Sequence, residues 1–310
     1  MESTLSIVFN EESVLCAMFE PQAKGWQLSD LAVFNGWYDV FIDDFAATSV
    51  GAQLTAYVTS VAARIKDVRI VLPSNAVLNR YLPYLPSASQ EQIGELLELE
   101  IMQSAPETSV PSYRAAFYPL RSLRETGSVM LAVLNRKSAE NNIRNVFLRL
   151  GIMDCMFVVR LVCAHSACLY SYPEDGSETA LLVNVDRTAC DVSVLHKRVT
   201  TYYNTIPFTE GEDVAKLIVR EYEENIVTMM DSQPTLVLHG DAVTPARIKE
   251  TGVLLDRMVR PVRRLNAFRM CTTSLDEQHR GFAARSAHRF AVNVGGILQR
   301  QLAVAGTQAP

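Results

Sequence analysis

The chain has 310 residues, 48% of them apolar, with 14 glycines, 13 prolines and no homopolymeric tract, which is ample material for packed cores and excludes a disordered class. Its 29 basic and 34 acidic residues give a net charge of −5 with no block of like charge, which argues against electrostatic wrapping of nucleic acid. No apolar run approaches the roughly 20 residues that span a bilayer, and residues 1–9 lack a basic stretch followed by an apolar one, so a cytosolic protein is expected. At about 100–200 residues per domain, the length predicts two lobes.

In chain order, residues 5–9, 14–19 and 31–40 alternate apolar and polar around the polar turn Asn10-Glu11-Glu12-Ser13 and the segment 21–25, which predicts an antiparallel meander. Leu54, Val58, Val61 and Ile65 then fall on one face of a helix, and residues 68–72 form a strand. From Asn79 the pattern changes. A short strand is expected at 81–85, a helix capped by Ser89 carries Ile93, Leu96, Leu97 and Ile101, and two alternating runs, 113–120 and 129–134, are joined by a turn containing Gly127. A helix with Ile143, Val146, Phe147 and Leu150 completes a β-α-β-β-α insert over residues 79–151. Strands at 180–185, 191–195 and 199–205, a helix bearing Val214, Leu217, Ile218 and Ile226, and a strand at 235–238 repeat the opening order. A helix follows from Thr244-Pro245, and the last one is expected over 287–302.

Six cysteines, at 16, 155, 163, 168, 190 and 271, lie mostly in apolar stretches and read as small buried hydrophobes. Cys163, His165 and Cys168 cannot converge on a metal, because on a helix His165 lies about 200° from Cys163. Glu98 and Glu100 diverge likewise and read as solvated. Ser166 beside His165 lacks an ordered third group and a glycine elbow, so it does not read as a hydrolase nucleophile. Arg257, Arg260, Arg263 and Arg264 read as a solvated basic face.

Two copies of a three-stranded meander followed by helix and strand resemble the actin and sugar-kinase superfamily. That resemblance implies an α/β, duplicated actin-like (ribonuclease H-like) fold, with lobes at 1–178 and 179–310 and a ferredoxin-like insert in the first. More specifically, Leu72-Pro73, the helix from Glu91 to the Glu100 region before Pro106, the hairpin, Leu150-Gly151-Ile152, and the segment His288-Arg289-Phe290-Ala291-Val292-Asn293-Val294-Gly295-Gly296 are similar to the PilM family of type IV pilus assembly, with FtsA and the cytoplasmic part of GspL as relatives. The resemblance implies a cytoplasmic scaffold of a pilus or type II secretion platform, peripheral to the inner membrane. Its partner would be the cytoplasmic tail of a PilN-like membrane protein, and a homo-oligomer is open.

An active member of that superfamily cradles phosphates on two glycine-containing hairpins, holds magnesium with carboxylates and admits adenosine at a Gly-Gly turn. Here the first hairpin carries Asn10 and Ser13 around two glutamates, whose charges would repel phosphate. In the second, Asn184 stands where the family has aspartate and Asp186 where it has glycine, with Arg187, Thr188 and Asp191 following; the adenosine turn keeps Gly240 and has Asp241 at its second glycine. Only Thr188, Asp191 and Gly240 match. A degenerate cleft with no cofactor is expected, and Arg187 leaves weakly bound ATP with magnesium as the alternative, an active ATPase or kinase being the rival reading. Partner capture is expected at the seam between insert and first lobe, where Arg80, Tyr81, Tyr84 and Leu85 combine aromatic, apolar and basic character.

Overall fold

A computed structural model describes residues 3–121, 129–174, 179–209, 211–230, 233–255 and 259–299. The expected turn at Gly127, Arg257 and the end of the expected last helix at Leu302 lie outside the described residues.

The first lobe opens with β1 (Ser3–Phe9), β2 (Ser13–Gln22) and β3 (Gly25–Asn35), then α1 (Ser49–Val61) and β4 (Ile65–Val71). Alternation along β1 and β2 builds both faces of the sheet at once: Leu5, Ile7, Phe9, Val14, Cys16 and Met18 enter one core, whereas Val8, Leu15, Ala17 and Phe19 enter another. The expected third run to residue 40 stops at Asn35, because Gly36 takes a φ of +138° and turns the chain away. Thr48 ends the loop by accepting a hydrogen bond from the Gly51 amide at 3.0 Å, which caps α1.

The insert follows as β5 (Val77–Pro83), α2 (Gln90–Ser104), β6 (Tyr113–Leu120) and β7 (Val129–Arg136), an antiparallel sheet ordered β5-β7-β6. Its strand begins earlier than 81–85, since β7 offers backbone partners from Asn135 back to Val129 for residues 77–83; Tyr84 and Leu85 fall past the strand. Ser89 and Gln92 form a capping box on α2. The insert has a small core of Leu82, Leu97, Ile101, Met130, Ala132 and Leu134. The next helix, α3 (Lys137–Arg149), was expected to complete the insert, but its Ala139, Ile143, Val146 and Phe147 pack into the first-lobe core with Leu5, Ile7 and Phe9. A short strand β8 (Cys155–Phe157) then pairs with β4, and α4 (Arg160–Ser171) crosses to the second lobe.

The second lobe repeats the plan: β9 (Thr179–Val185), β10 (Ala189–His196), β11 (Val199–Pro207), α5 (Val214–Glu221) and β12 (Thr235–His239), then α6 (Pro245–Leu254) and β13 (Arg260–Arg264). Sheet order is β14-β3-β2-β1-β4-β8 in the first lobe, with β14 at Thr272–Thr273, and β11-β10-β9-β12-β13 in the second. In both lobes two antiparallel pairs are followed by two parallel ones. The expected single last helix is instead α7 (Glu277–Ser286), a tight turn at Ala287–Phe290, and α8 (Ala291–Leu298).

The packing has five layers. Helices α1 and α3 cover the outer face of the first sheet, α5 and α6 flank the second, and α4 and α8 lie between the sheets in one core shared by Val8, Phe19, Ala180, Leu182 and Val237. Asn293 on α8 donates to the carbonyls of Ser6 and Leu15, each at 3.0 Å, fixing α8 against β1 and β2. No described helix is long and apolar enough to cross a membrane.

Candidate functional site

The turns β1–β2, β9–β10 and the one after β12 converge between the lobes around a cleft of about 320 Å³ lined by Asn10, Glu11, Ser13, Asp186, Arg187 and Asp241, among others. Of the nine expected cleft residues, Asn10, Ser13, Asp186, Arg187 and Asp241 line it; Asn184, Thr188 and Gly240 stand directly behind these, and Asp191 faces a neighbouring cavity. Opposed positions in the second sheet align them: Asn184 sits across from Asp191, and Asp191 across from Thr205. Asp191 accepts from the Thr205 hydroxyl at 2.8 Å, the Tyr203 hydroxyl at 3.0 Å and Asn184 Nδ2 at 3.3 Å, while the same Asn184 amide reaches Asp186 at 3.1 Å.

Arg160, at the start of α4, ties the two hairpins together. Its guanidinium donates to the Phe9 carbonyl at 2.8 Å and to Asn10 Oδ1 at 3.1 Å, and lies 3.7 Å from the Asp186 carboxylate. A cation is disfavoured at a helix N-terminus and in a buried place. Burial alone would lower the Arg160 pKa, but Asp186 and Asp191 more than reverse that. Burial pushes the Asp186 carboxyl up to about 6, with Arg160 opposing and Asp191 and Asp241 adding to the rise.

Further contacts join the lobes across the same cleft. The Ser13 hydroxyl donates to Asp241, Arg187 pairs with Glu12, and the Thr188 hydroxyl donates to Glu11, while within the second lobe Arg289 donates to Asp241 at 2.9 Å. Burial would raise the Asp241 pKa, yet the hydrogen bond and charge of Arg289 hold it below the usual carboxylate range. Gly240 keeps a φ of +107°, and a Cβ there would meet Asn184 Oδ1 at 2.4 Å and the Val185 carbonyl at 2.6 Å. Its amide donates to the His288 carbonyl at 3.1 Å, and the Ala242 amide to the Val185 carbonyl at 2.9 Å. The glycine is therefore required by close backbone packing within the protein.

A nucleotide polyphosphate with magnesium fits this donor set poorly. Glu11, Glu12, Asp186 and Asp241 surround the space, and the cations beside it, Arg160, Arg187 and Arg289, are each already facing a carboxylate. No cluster of three or more potential metal-holding His, Cys, Asp or Glu side chains occurs among the described residues.

No protein-family model matches the chain, and no curated protein matches it. Solved structures do. One is a "PilM-PilN type IV pilus biogenesis complex", with 14% identity, a TM-score of 0.65 and 99% of each chain covered. Another, from Bacteroides thetaiotaomicron, is a protein with actin-like ATPase fold and unknown function, with 14% identity, a TM-score of 0.52, and 91% of this chain and 95% of that one covered. The chain has the actin-like ATPase fold.

Within that fold the seam residues divide. Arg80 Nε donates to Ser104 Oγ at 2.8 Å, so it is tied to α2. The Tyr81 hydroxyl donates to the Tyr203 carbonyl although the residue is exposed, and Tyr84 and Leu85 are exposed as well. Beneath Arg80 and Tyr81 lies a cavity of about 310 Å³ between insert and both lobes, with Arg160, Asp191 and Tyr203 in its wall. Sequence reasoning missed Arg160, Arg289 and Tyr203. The signal for Arg160 was a single cation inside the apolar run from Phe157 to Leu161.

Proposed function

We propose that this chain is a cytoplasmic scaffold of a type IV pilus or type II secretion platform, peripheral to the inner membrane, whose interlobe cleft is held together by its own side chains instead of by ATP and magnesium. The observation that carries the reading is the bridging of both hairpins by Arg160, with Asp186 at the position where the family has glycine. Likeness across 99% of the chain to the solved PilM-PilN type IV pilus biogenesis complex supports an assembly role. A PilN-like cytoplasmic tail is the partner, docking at the seam of Arg80, Tyr81, Tyr84 and Leu85, of which the exposed Tyr84 and Leu85 offer an apolar anchor.

Calorimetry with ATP and magnesium tests the cleft: no heat of binding up to millimolar nucleotide is expected, and micromolar binding with turnover overturns the reading. For the seam, Arg80→Ala combined with Tyr84→Ala should weaken capture of the tail peptide while circular dichroism stays unchanged. Undiminished capture by the folded double variant removes the seam.

A further inference from the structure

The open edge of β3 offers a second docking place, on the opposite side of the first sheet from the insert. Strand β14 covers β3 only at Gln27 and Leu28, and the Ser274 amide then donates to the Leu28 carbonyl at 3.1 Å. After Leu275 the chain turns away into α7, and among the described residues no strand pairs with the outer edge of residues 29–35. An edge of this length leaves alternate backbone N–H and C=O groups without ladder partners.

Helix α7 does not cover that edge but stands beside it. Between them is a groove of about 600 Å³ lined by Leu31, Val33 and Asn35 on the strand and by His279, Phe282 and Arg285 on the helix. Leu31 and Val33 point to the face packed against the shared core, and Phe282 packs against that same core, so the groove has an apolar floor. Its charge is positive. His279 is paired with Asp276 and Arg289 with Asp241, whereas the exposed Arg285 has no carboxylate partner among the described residues.

We propose that this groove takes an extended acidic peptide of a partner protein as an added strand on β3. The peptide backbone would complete the ladder, its apolar side chains on the inner face would rest on Leu31, Val33 and Phe282, and a carboxylate would meet Arg285. The proposal is independent of the scaffold reading, since the side chains that would hold the peptide, Leu31, Val33, Phe282 and Arg285, line neither the cleft nor the cavity at the insert seam.

The test uses the whole chain and a random heptapeptide library displayed on phage. Enriched peptides should carry Asp or Glu with β-branched residues and lack proline. At about ten times its Kd such a peptide should slow amide hydrogen exchange within residues 29–35 by roughly tenfold. Arg285→Glu should weaken it by about tenfold or more through like-charge repulsion, with Arg285→Lys restoring most of the affinity. A peptide carrying N-methyl groups on its pairing amides should fail to bind. The proposal is overturned if nothing enriches, if the enriched peptides leave exchange at 29–35 unchanged or bind R285E equally, or if sedimentation shows a concentration-dependent dimer lost in R285E, which would make a second copy the occupant.

Discussion

Burial of titratable side chains sets how this molecule responds to pH. His165 is held between the hydroxyls of Thr200 and Ser193 at 2.8 and 2.9 Å, and burial lowers its pKa from 6.5 to about 4. Burial likewise lowers His239 to about 3 and His288 to about 4. A base with a lowered folded pKa contributes stability that is present above pH 6.5 and is lost as pH falls toward the folded value. Asp186 works in the other direction: raised from 3.8 to about 6, it favours the folded state in acid, and that contribution fades as pH rises through 6. Burial also raises Asp67 and Glu140, which act with Asp186, while Asp241, held low by Arg289, acts with the imidazoles. The large shifts of the three imidazoles carry the balance, so the melting temperature should fall from pH 7 to pH 4.5 in thermal scans. Asp186→Asn should melt higher than the parent at pH 8, with the difference closing below pH 5. A parent whose melting temperature is flat over that range would show that the imidazoles titrate normally. Arg160 is the complementary case. Replacing it with methionine strips Asp186 and Asp191 of their nearest counter-charge and leaves the Phe9 carbonyl without that donor, at a cost of about 3 kcal/mol measured by urea unfolding. The same variant should titrate Asp186 at a higher pH, visible in the carboxyl carbon shift by NMR.

At the level of elements, the insert is bound to both lobes. Tyr203 on β11 accepts from Tyr81 through its carbonyl, receives Asn79 Nδ2 on its hydroxyl at 3.4 Å, and donates that hydroxyl to Asp191 at 3.0 Å. The Arg121 amide adds a backbone bond to the Thr200 carbonyl at 3.2 Å, and Leu120, Leu131, Val133, Leu161 and Tyr203 form an apolar cluster across the junction. Tyr203→Phe keeps the ring and removes one hydroxyl from this network, so about 1–2 kcal/mol should be lost in urea unfolding. Faster amide exchange in β5 should accompany it, and unchanged exchange there would mean that the hydroxyl does not fasten the insert. The duplicated strand and helix order was legible because period-two alternation in β1, β2, β9 and β10 and the spacing of apolar residues in α1, α2 and α5 are local signals. Strands β8, β13 and β14, with 3, 5 and 2 residues, carry too little pattern and exist through pairing with distant strands. Helix α7 escaped notice because its buried face is as narrow as Ala283 and Ser286. The hairpin residues of the cleft were legible from their turns. Arg160 and Arg289 were not, since only the folded chain brings them against Asp186 and Asp241.

Across the whole molecule, the shared central layer ties the two lobes into one folding unit. A single core includes Leu15 and Phe19 of the first sheet, Cys163 and Ala167 of α4, Leu182 and Val237 of the second sheet, and Val294 of α8, so neither lobe can open without exposing the face of the other. The tightest point of that layer is Gly295. A Cβ there would stand 1.7 Å from the Cys163 carbonyl oxygen, so α8 would have to move off α4, and Asn293 would lose its hold on the Ser6 and Leu15 carbonyls. Gly295→Ala should therefore cost about 3 kcal/mol or more, even though it improves helix propensity. Gly94 in α2 is the control. Nothing lies within 4 Å of a Cβ at that position, so Gly94→Ala should stabilise its helix by about 0.5–1 kcal/mol. Differential scanning calorimetry reads both together. With the insert fastened through Tyr203, the parent should show one transition whose calorimetric and van't Hoff enthalpies agree, shifted down by G295A and slightly up by G94A. If G94A instead moves a separate, smaller transition and leaves the main one in place, the insert melts on its own and the bridge to β11 does not couple it to the lobes.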